Sequence, residues 1–157
     1  MHILTERGID FGAYAAYLQT VRDRLPPHVL AFAGDPRHHW LDAPETLHDA
    51  SLERLEVSES GTDDTRGVAV EVRLLGAFRD RAHVLRYSAV RRYEVGGAGA
   101  ARGHGDLYAH EVRPAEDGAA LVHEVRFVGP PGSGDSRLIV ECADLRHATV
   151  ELREAAG

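Results

Sequence analysis

The feature that most constrains the fold is a change in the spacing of apolar residues near Leu47. Before this point apolar residues recur at helical spacing, whereas after it they alternate with polar residues. The two spacings indicate helix and strand, because these elements repeat every 3.6 and 2 residues. The strand predicted for GVAVEVRLLG has one apolar face, formed by Val68, Val70, Val72 and Leu74. The chain is therefore expected to place a helical entry before a β-sheet.

The first helix is predicted between Asp10 and Leu25. Asp10 is a suitable N-cap residue, and Pro26-Pro27 prevents the helix from continuing. The apolar residues at helical spacing are Phe11, Tyr14, Leu18, Val21 and Leu25. The next segment, HVLAFAGDP, is predicted to add one or two helical turns. Residues 1–40 should thus form a mainly helical entry.

The remainder of the chain is predicted to be a single antiparallel sheet. Beside GVAVEVRLLG, short alternating runs occur at about 50–58, 82–94, 106–113, 120–128, 137–142 and 147–153. The intervening segments are too short for helical crossovers, so the strands should pair antiparallel. We predict one α+β domain, 1–157, with six or seven strands in a meander over 47–153 and the helix packed on one face. A sheet curled toward a partly open barrel or a sandwich is the alternative.

Charge bears mainly on the class of partner. The chain has 157 residues, a formal net charge of −7 and 18 basic residues, all of them arginine. A nucleic-acid-binding protein would normally carry a basic stripe, whereas here arginines alternate with acids. We therefore expect no nucleic-acid partner, and a charged partner would be basic.

The sequence also bears on the compartment. The longest uncharged apolar stretches, Gly12–Val21 and Val29–Gly34, are shorter than the roughly 20 residues of a membrane-spanning helix. The first ten residues carry charges where a secretory signal needs an apolar run. The single cysteine, Cys142, excludes an internal disulfide. We expect a cytosolic protein that does not associate with membranes.

Two histidines are candidates for a polar cluster in the hairpin LYAHEVRPAEDGAALVHEVRFV. A four-residue loop over 115–118 would pair Val112 with Leu121 and place His110 directly opposite His123. That register also gathers the residues Tyr108, Val112, Leu121, Val125 and Phe127 on the face of the two histidines. Such a pair supplies only two metal ligands. A third could come from His83 or His104, but no sequence spacing fixes the position of either residue. The alternative is a pair of hydrogen-bonded imidazoles on a partly apolar sheet face.

His48 and Asp49 form the second candidate polar cluster, close to Arg37-His38-His39-Trp40. The carboxylate could orient the imidazole as a general base. On a regular strand, however, adjacent side chains point to opposite faces, so cooperation would require a bulge or turn. The serines lack a nucleophile-elbow context. We assign no catalytic residue and expect neither a metal nor a cofactor.

The element Leu47-His48-Asp49-Ala50, followed by a predicted strand, resembles the starting motif of small bacterial immunity-type proteins found beside polymorphic toxins. In those families a short helical or irregular entry precedes this element and a β-meander follows it. The resemblance covers residues 44–95, and uncharacterised bacterial β-meander domains share it. It implies a non-enzymatic inhibitor that binds one cognate toxin.

Three functional hypotheses follow, of which a small protein-binding module, such as an immunity protein, is favoured. A metal-dependent or histidine-based hydrolase using His110 and His123 is the second, and a small-ligand carrier is the third. A basic partner would be recognised by the acidic stretch Glu53–Asp64. Its candidate partner-binding residues are Glu56, Glu59, Asp63 and Asp64.

Overall fold

A computed structural model of the chain describes residues 1–6, 8–97, 103–131 and 134–152. Within these ranges it contains two α-helices, α1 (Phe11–Val21) and α2 (Pro27–Ala33), and two single 3-10 turns, Arg22–Arg24 and Pro36–His38. The strands are β1 (Leu4–Thr5), β2 (Gly8–Ile9), β3 (Ser51–Ser60), β4 (Gly67–Leu75), β5 (Arg81–Ser88), β6 (Arg92–Gly97), β7 (Asp106–Pro114), β8 (Leu121–Val128), β9 (Asp135–Cys142) and β10 (Asp144–Glu151).

Eight strands form one open antiparallel sheet in the order β10-β5-β4-β3-β7-β8-β9-β6, while β1 and β2 form a separate hairpin. The α+β class is confirmed. The predicted count of six or seven strands is wrong, since the sheet has eight. The predicted meander, in which consecutive strands are neighbours, is present in β3-β4-β5 and in β7-β8-β9. It is broken by β6, which pairs with β9, and by β10, which pairs with β5.

The additional strand arises because the predicted run 82–94 is interrupted. Ala89 adopts a φ of 47°, in the left-handed region that residues other than glycine rarely enter. The next backbone N–H, that of Val90, donates to a carbonyl of β4 at 2.9 Å, whereas that of Arg91 donates to a carbonyl of β9 at 2.8 Å. The chain therefore changes neighbours at this bend, and one predicted strand becomes β5 and β6.

The sheet divides into a first half-sheet, β10-β5-β4-β3, and a second half-sheet, β7-β8-β9-β6. In the described part of the chain, β3 and β7 pair only at Ser51 and Asp106. A single residue, Ala143, separates β9 from β10, where the chain crosses between the halves. Their inner faces meet, since Tyr87 Oη on β5 lies 2.8 Å from His123 Nδ1 on β8. The sheet is thus curled without being closed.

Helix α1 packs against β7 of the second half-sheet, whereas the prediction placed it on one face of a single sheet. Asp10 caps it by accepting a hydrogen bond from the backbone N–H of Ala13 at 2.9 Å. The side chains of Tyr14, Leu18 and Val21 are buried. The Tyr14 hydroxyl donates to the carbonyl oxygen of Val112 at 2.8 Å and accepts from the N–H of the same residue at 2.6 Å. One side chain therefore satisfies both backbone groups of Val112 on the edge of β7 that faces away from β8.

The apolar face predicted for β4 is confirmed. Val70, Val72 and Leu74 are buried in one cluster with residues of both helices and both half-sheets. Burial of this kind contributes about 25 cal/mol per Å² of apolar surface and drives the two halves together.

The ends of the chain differ in part from the predictions. The entry is not only helical, because β1 and β2 pair at Leu4 with Ile9 and at Thr5 with Gly8. The final run was predicted at 147–153, whereas β10 spans Asp144–Glu151. Position 153 lies outside the described residues. In the described ranges, no helix is long and apolar enough to span a membrane.

Replacing Tyr14 with Phe should lower the free energy of unfolding by about 1–3 kcal/mol, because it leaves the buried N–H and C=O of Val112 unpaired. Urea denaturation of the variant and of the parent protein measures this difference. Tyr93→Phe is the matched control, since that ring is 47% exposed. Equal stability of Tyr14→Phe and the parent would contradict the structural role of the hydroxyl.

Candidate functional site

Six of the ten histidines in the sequence lie together, in a cluster that we call the histidine core. Two of them come from the 3-10 turn after α2 and the residue that follows it. Two more lie on the first half-sheet, and the last two lie on the second half-sheet. They are His38, His39, His83, His147, His110 and His123. Phe32 of α2 lies among them, with its ring centroid 4.8 to 5.9 Å from four of the imidazoles.

The two histidines predicted as neighbours are in contact. His123 Nε2 lies 3.3 Å from His110 Nδ1, and His123 Nδ1 lies 2.8 Å from the Tyr87 hydroxyl oxygen. The ring of His39 stacks on that of His110 with a centroid distance of 4.5 Å. His110 and His123 are each only 1% exposed. The rings of Tyr87, His123, His110 and His39 thus form a chain that joins both half-sheets to the turn after α2.

The register that brings them together differs from the predicted one. His123 lies opposite Val112, and His110 lies opposite Val125. The loop spans residues 115–120 rather than 115–118, and it is closed by a hydrogen bond from the Ala115 N–H to the Ala120 carbonyl. The pairing therefore slips by two residues, which leaves the side chains between Ala109 and Arg126 on their predicted faces.

A bulge changes one member of the face predicted to carry the two histidines. The ladder between β7 and β8 is irregular at Tyr108, so Leu107 rather than Tyr108 lies opposite the buried Phe127. An extra residue of this kind shifts the alternation locally, and the hydrophobic pattern alone did not indicate it.

The remaining histidines meet in the first half-sheet. His83 Nδ1 on β5 lies 3.1 Å from His147 Nε2 on β10, and the two rings are stacked. His38 Nδ1 lies 3.0 Å from the carbonyl oxygen of Phe32, and its ring centroid is 4.9 Å from that of His147. The sequence analysis did not single out His147. Its position two residues after Leu145 places both side chains on the same face of the strand, which was a usable signal.

His48 and Asp49 are brought together by a turn. Asp49 has a φ of 62° and precedes β3, so the strand rule that would separate the side chains does not apply. Asp49 Oδ1 lies 3.0 Å from His48 Nδ1, but the two atoms lack the alignment of a hydrogen bond. His48 is largely buried while Asp49 is exposed. The pair is therefore a contact at the edge of the fold.

A small cleft lies between the predicted clusters. It has a volume of about 10 Å³ and is lined by His38, His39, His48 and His110 among others. Such a space holds about one water molecule and no larger ligand. His110 Nε2 is buried without a hydrogen-bond partner in the described structure. Within the described ranges, no three His, Cys, Asp or Glu side chains form a group that could hold a metal ion.

Burial keeps the histidine core uncharged. Desolvation lowers the pKa of His39 and His83 to about 4 and that of His123 and His147 to about 3. It also lowers the pKa of His110 and His38, and the positive charge that neighbouring histidines would carry lowers that of His110 further. Desolvation raises the pKa of the Tyr87 hydroxyl. Near neutral pH these groups act as hydrogen-bonding, neutral rings.

The acidic candidate residues lie elsewhere, on β3 and the turn after it. Glu56 and Glu59 are about 60% exposed, and Asp63 is 97% exposed. Two arginines offset part of their charge. Arg54 lies 3.5 Å from Glu56, and Arg66 lies 3.8 Å from Glu59 and 3.0 Å from Asp63.

The strand that carries these acids is exposed along most of its length. After the single pair at Ser51, the described structure gives β3 no further pairing with β7, and nearly all residues from Glu53 to Ser60 are exposed. A bulge between Leu52 and Arg54 precedes the exposed stretch. Sequence reasoning predicted the acids but not the exposure of the whole strand, since exposure depends on which strands become neighbours.

No family model, curated protein or solved structure matches this chain.

Stability should fall steeply as the pH drops below about 6.5, the pKa of an imidazole in an unfolded chain. Between that value and the lowered pKa values of the core histidines, the unfolded state binds protons that the folded state excludes, so the free energy of unfolding decreases. Each such group contributes about 1.4 kcal/mol per pH unit, so His83, His123 and His147 together contribute about 4 kcal/mol by pH 5.5. Urea denaturation at about pH 7.5 and 5.5 measures the loss.

His147→Phe tests the assignment, because it removes one group that is neutral only in the folded state. Its free energy of unfolding should depend less steeply on pH than that of the parent, because its unfolding takes up about one proton fewer. The range above pH 5.5 also lies above the titration of ordinary carboxylates. A free energy of unfolding that does not change over this range would contradict the neutral histidine core.

Proposed function

We propose that the protein is a small cytosolic protein-binding module of the immunity type, which occludes a basic partner such as a cognate toxin. The observation that carries the proposal is the exposed stretch of β3 and the turn after it, which presents acidic side chains to solvent. Exposed groups on a rigid scaffold are those that bind partners. The large hydrophobic core behind β3 provides such a scaffold.

The charge of this region supports a basic partner. The segment 51–66 contains five acids and two arginines, and the whole chain carries a net charge of −7. Glu56, Glu59 and Asp63 stay more than half exposed in spite of their arginine contacts. Exposed ion pairs of this kind are weak, so an incoming arginine or lysine can replace them at little cost.

The two alternative functions have less support from the geometry. A hydrolase would need its substrate to reach His110 and His123, and both are 1% exposed beneath α2. A carrier would need an enclosed space. The space beside the histidine core has a volume of about 10 Å³, and the larger cleft along β6 and β9, about 690 Å³, is open to solvent and lined in part by charged residues. The protein-binding hypothesis requires neither an accessible imidazole nor an internal cavity.

The proposal is tested with a variant in which Glu56 and Glu59 become Gln, and Asp63 and Asp64 become Asn. Parent and variant serve as baits in quantitative purification from the native cells, and the protein retained by the parent alone is then purified. Its association rate with the variant should be about tenfold lower at low salt, and less dependent on salt, because these acids supply the steering field.

A second variant with the same change in charge provides the control. It replaces the exposed acids Asp23, Asp42, Glu116 and Glu151, which lie outside the β3 segment. This control should associate at the rate of the parent. A partner that is acidic, or that associates equally fast with the parent and with both variants, would contradict the proposal, and so would the absence of any protein retained by the parent alone.

A further inference from the structure

The turn that precedes β3 places His48 beside the histidine core. The N–H of Asp49 donates a hydrogen bond to the carbonyl oxygen of Leu107 at 2.8 Å, and the N–H of Leu107 donates to the carbonyl oxygen of Ala50 at 2.8 Å. These two bonds hold the turn against β7, three residues before His110. His48 and His110 consequently line the same small cleft, which has a volume of about 10 Å³.

Each of these two histidines has a buried ring nitrogen without a hydrogen-bond partner in the described part of the chain. The atoms are His48 Nδ1 and His110 Nε2. The other two imidazoles that line the cleft, those of His38 and His39, bond to backbone carbonyl oxygens. A buried polar atom without a partner is costly, so both nitrogens call for a ligand in the cleft.

The position of the hydrogen on His123 follows from the hydroxyl group of Tyr87. This hydroxyl is buried, and among the described residues its hydrogen-bond partner is His123 Nδ1 alone, at 2.8 Å. If the hydroxyl accepted a hydrogen bond here, its own hydrogen would be left without an acceptor, so it donates to His123 Nδ1. Desolvation lowers the pKa of His123 to about 3, and the neutral ring therefore carries its hydrogen on Nε2.

The position of the hydrogen on His110 follows from His123. His123 Nε2 lies 3.3 Å from His110 Nδ1, so the N–H of His123 donates and His110 Nδ1 accepts. Desolvation lowers the pKa of His110, and its neutral ring carries its single hydrogen on Nε2. This nitrogen lies on the side of the ring away from His123, which is not among the residues that line the cleft. His110 therefore presents a hydrogen-bond donor to the cleft.

His48 presents a second donor. Its Nδ1 lies 3.0 Å from Asp49 Oδ1, although the two atoms lack the alignment of a hydrogen bond. A carboxylate oxygen at this distance favours a hydrogen on that nitrogen, because it would repel the lone pair of an unprotonated nitrogen. Two N–H groups thus border one small cleft.

The chemistry of two donors selects the ligand. A water oxygen has two lone pairs and can accept from both N–H groups, and the volume of the cleft suits about one water molecule. A metal ion binds an imidazole through a nitrogen that carries no hydrogen, whereas both of these nitrogens carry one. Larger anions exceed the volume of the cleft.

We infer that the cleft between His48 and His110 is a binding site for one water molecule, which accepts hydrogen bonds from His110 Nε2–H and His48 Nδ1–H. This water completes a chain of hydrogen bonds that runs from Tyr87 through His123 and His110 to the turn before β3. The chain fixes the tautomers of His123 and His110 and joins the interior of the protein to the exposed Asp49.

The tautomers are measured from the ¹⁵N chemical shifts of the ring nitrogens at about pH 7.5, where the core histidines are neutral. His110 and His123 should carry hydrogen on Nε2, and His48 should carry it on Nδ1. Hydrogen on Nδ1 of His110 would overturn the inference, because a lone pair would then face the cleft.

The water molecule is detected by nuclear Overhauser effects between water and the carbon-bound ring protons of His110, which do not exchange with solvent. A water molecule held in the cleft should give an effect with the sign of a residence time longer than the tumbling time of the protein. The absence of an effect, or the sign of freely diffusing water, would overturn the site.

His48→Leu removes one of the two donors. Water should then bind about tenfold more weakly, a difference of about 1.4 kcal/mol, and the Overhauser effect at His110 should fall accordingly. His104→Leu is the matched control, since His104 does not line the cleft, and it should leave the effect at His110 unchanged. An undiminished effect in His48→Leu would contradict a site built from two donors. If that variant fails to fold, the tautomers and the Overhauser effects of the parent protein decide.

Discussion

The architecture depends on a single hydroxyl group placed at the edge of a strand. A tyrosine hydroxyl can donate and accept at once, and Tyr14 uses both capacities on the backbone of Val112. Helix α1 thereby takes the position that a neighbouring strand would otherwise fill. The two half-sheets are joined at Ser51 and Asp106, diverge from there and face each other across the core.

The histidine core follows from the same arrangement. Two half-sheets and a helix converge where His110, His123, His83 and His147 point inward, and Phe32 lies between their rings. A neutral imidazole has one donor and one acceptor, so such rings can bond to one another in a dry interior. The arrangement is stable only while the rings are uncharged, because burying a charge without a partner is costly. This core is therefore better suited to holding the fold than to catalysis.

Local features of the fold were predictable from the sequence, but the neighbours of each strand were not. The Asp10 cap, the buried face of Tyr14 and Leu18, and the alternation along β4 depend on residues close in the chain, and the structure confirms them. The break at Ala89 was missed because the apolar alternation continues through it, and only the backbone angle marks the change.

The candidate site was predictable to the same extent. Alternation placed His110 and His123 on one face, and a slip of two residues did not alter that face. The contacts of His83 with His147 join residues 64 positions apart, and no local pattern encodes them. His48 and Asp49 meet because of a turn that their sequence did not reveal. The acids of β3 were visible as composition, whereas the exposure of the strand that carries them is a property of strand order.

The placement of β10 has a consequence for how the chain reaches this structure. The two meanders, β3-β4-β5 and β7-β8-β9, consist of neighbours along the chain and can form from short loops. β10 must instead find β5, with Asp144 pairing with Ser88 and Glu151 with Arg81. Closing so long a loop is the slow step in proteins rich in distant contacts. Until that strand arrives, the outer edge of β5 stays uncovered, so β10, which is synthesised after the other strands of this sheet, is the one that protects the first half-sheet from aggregation.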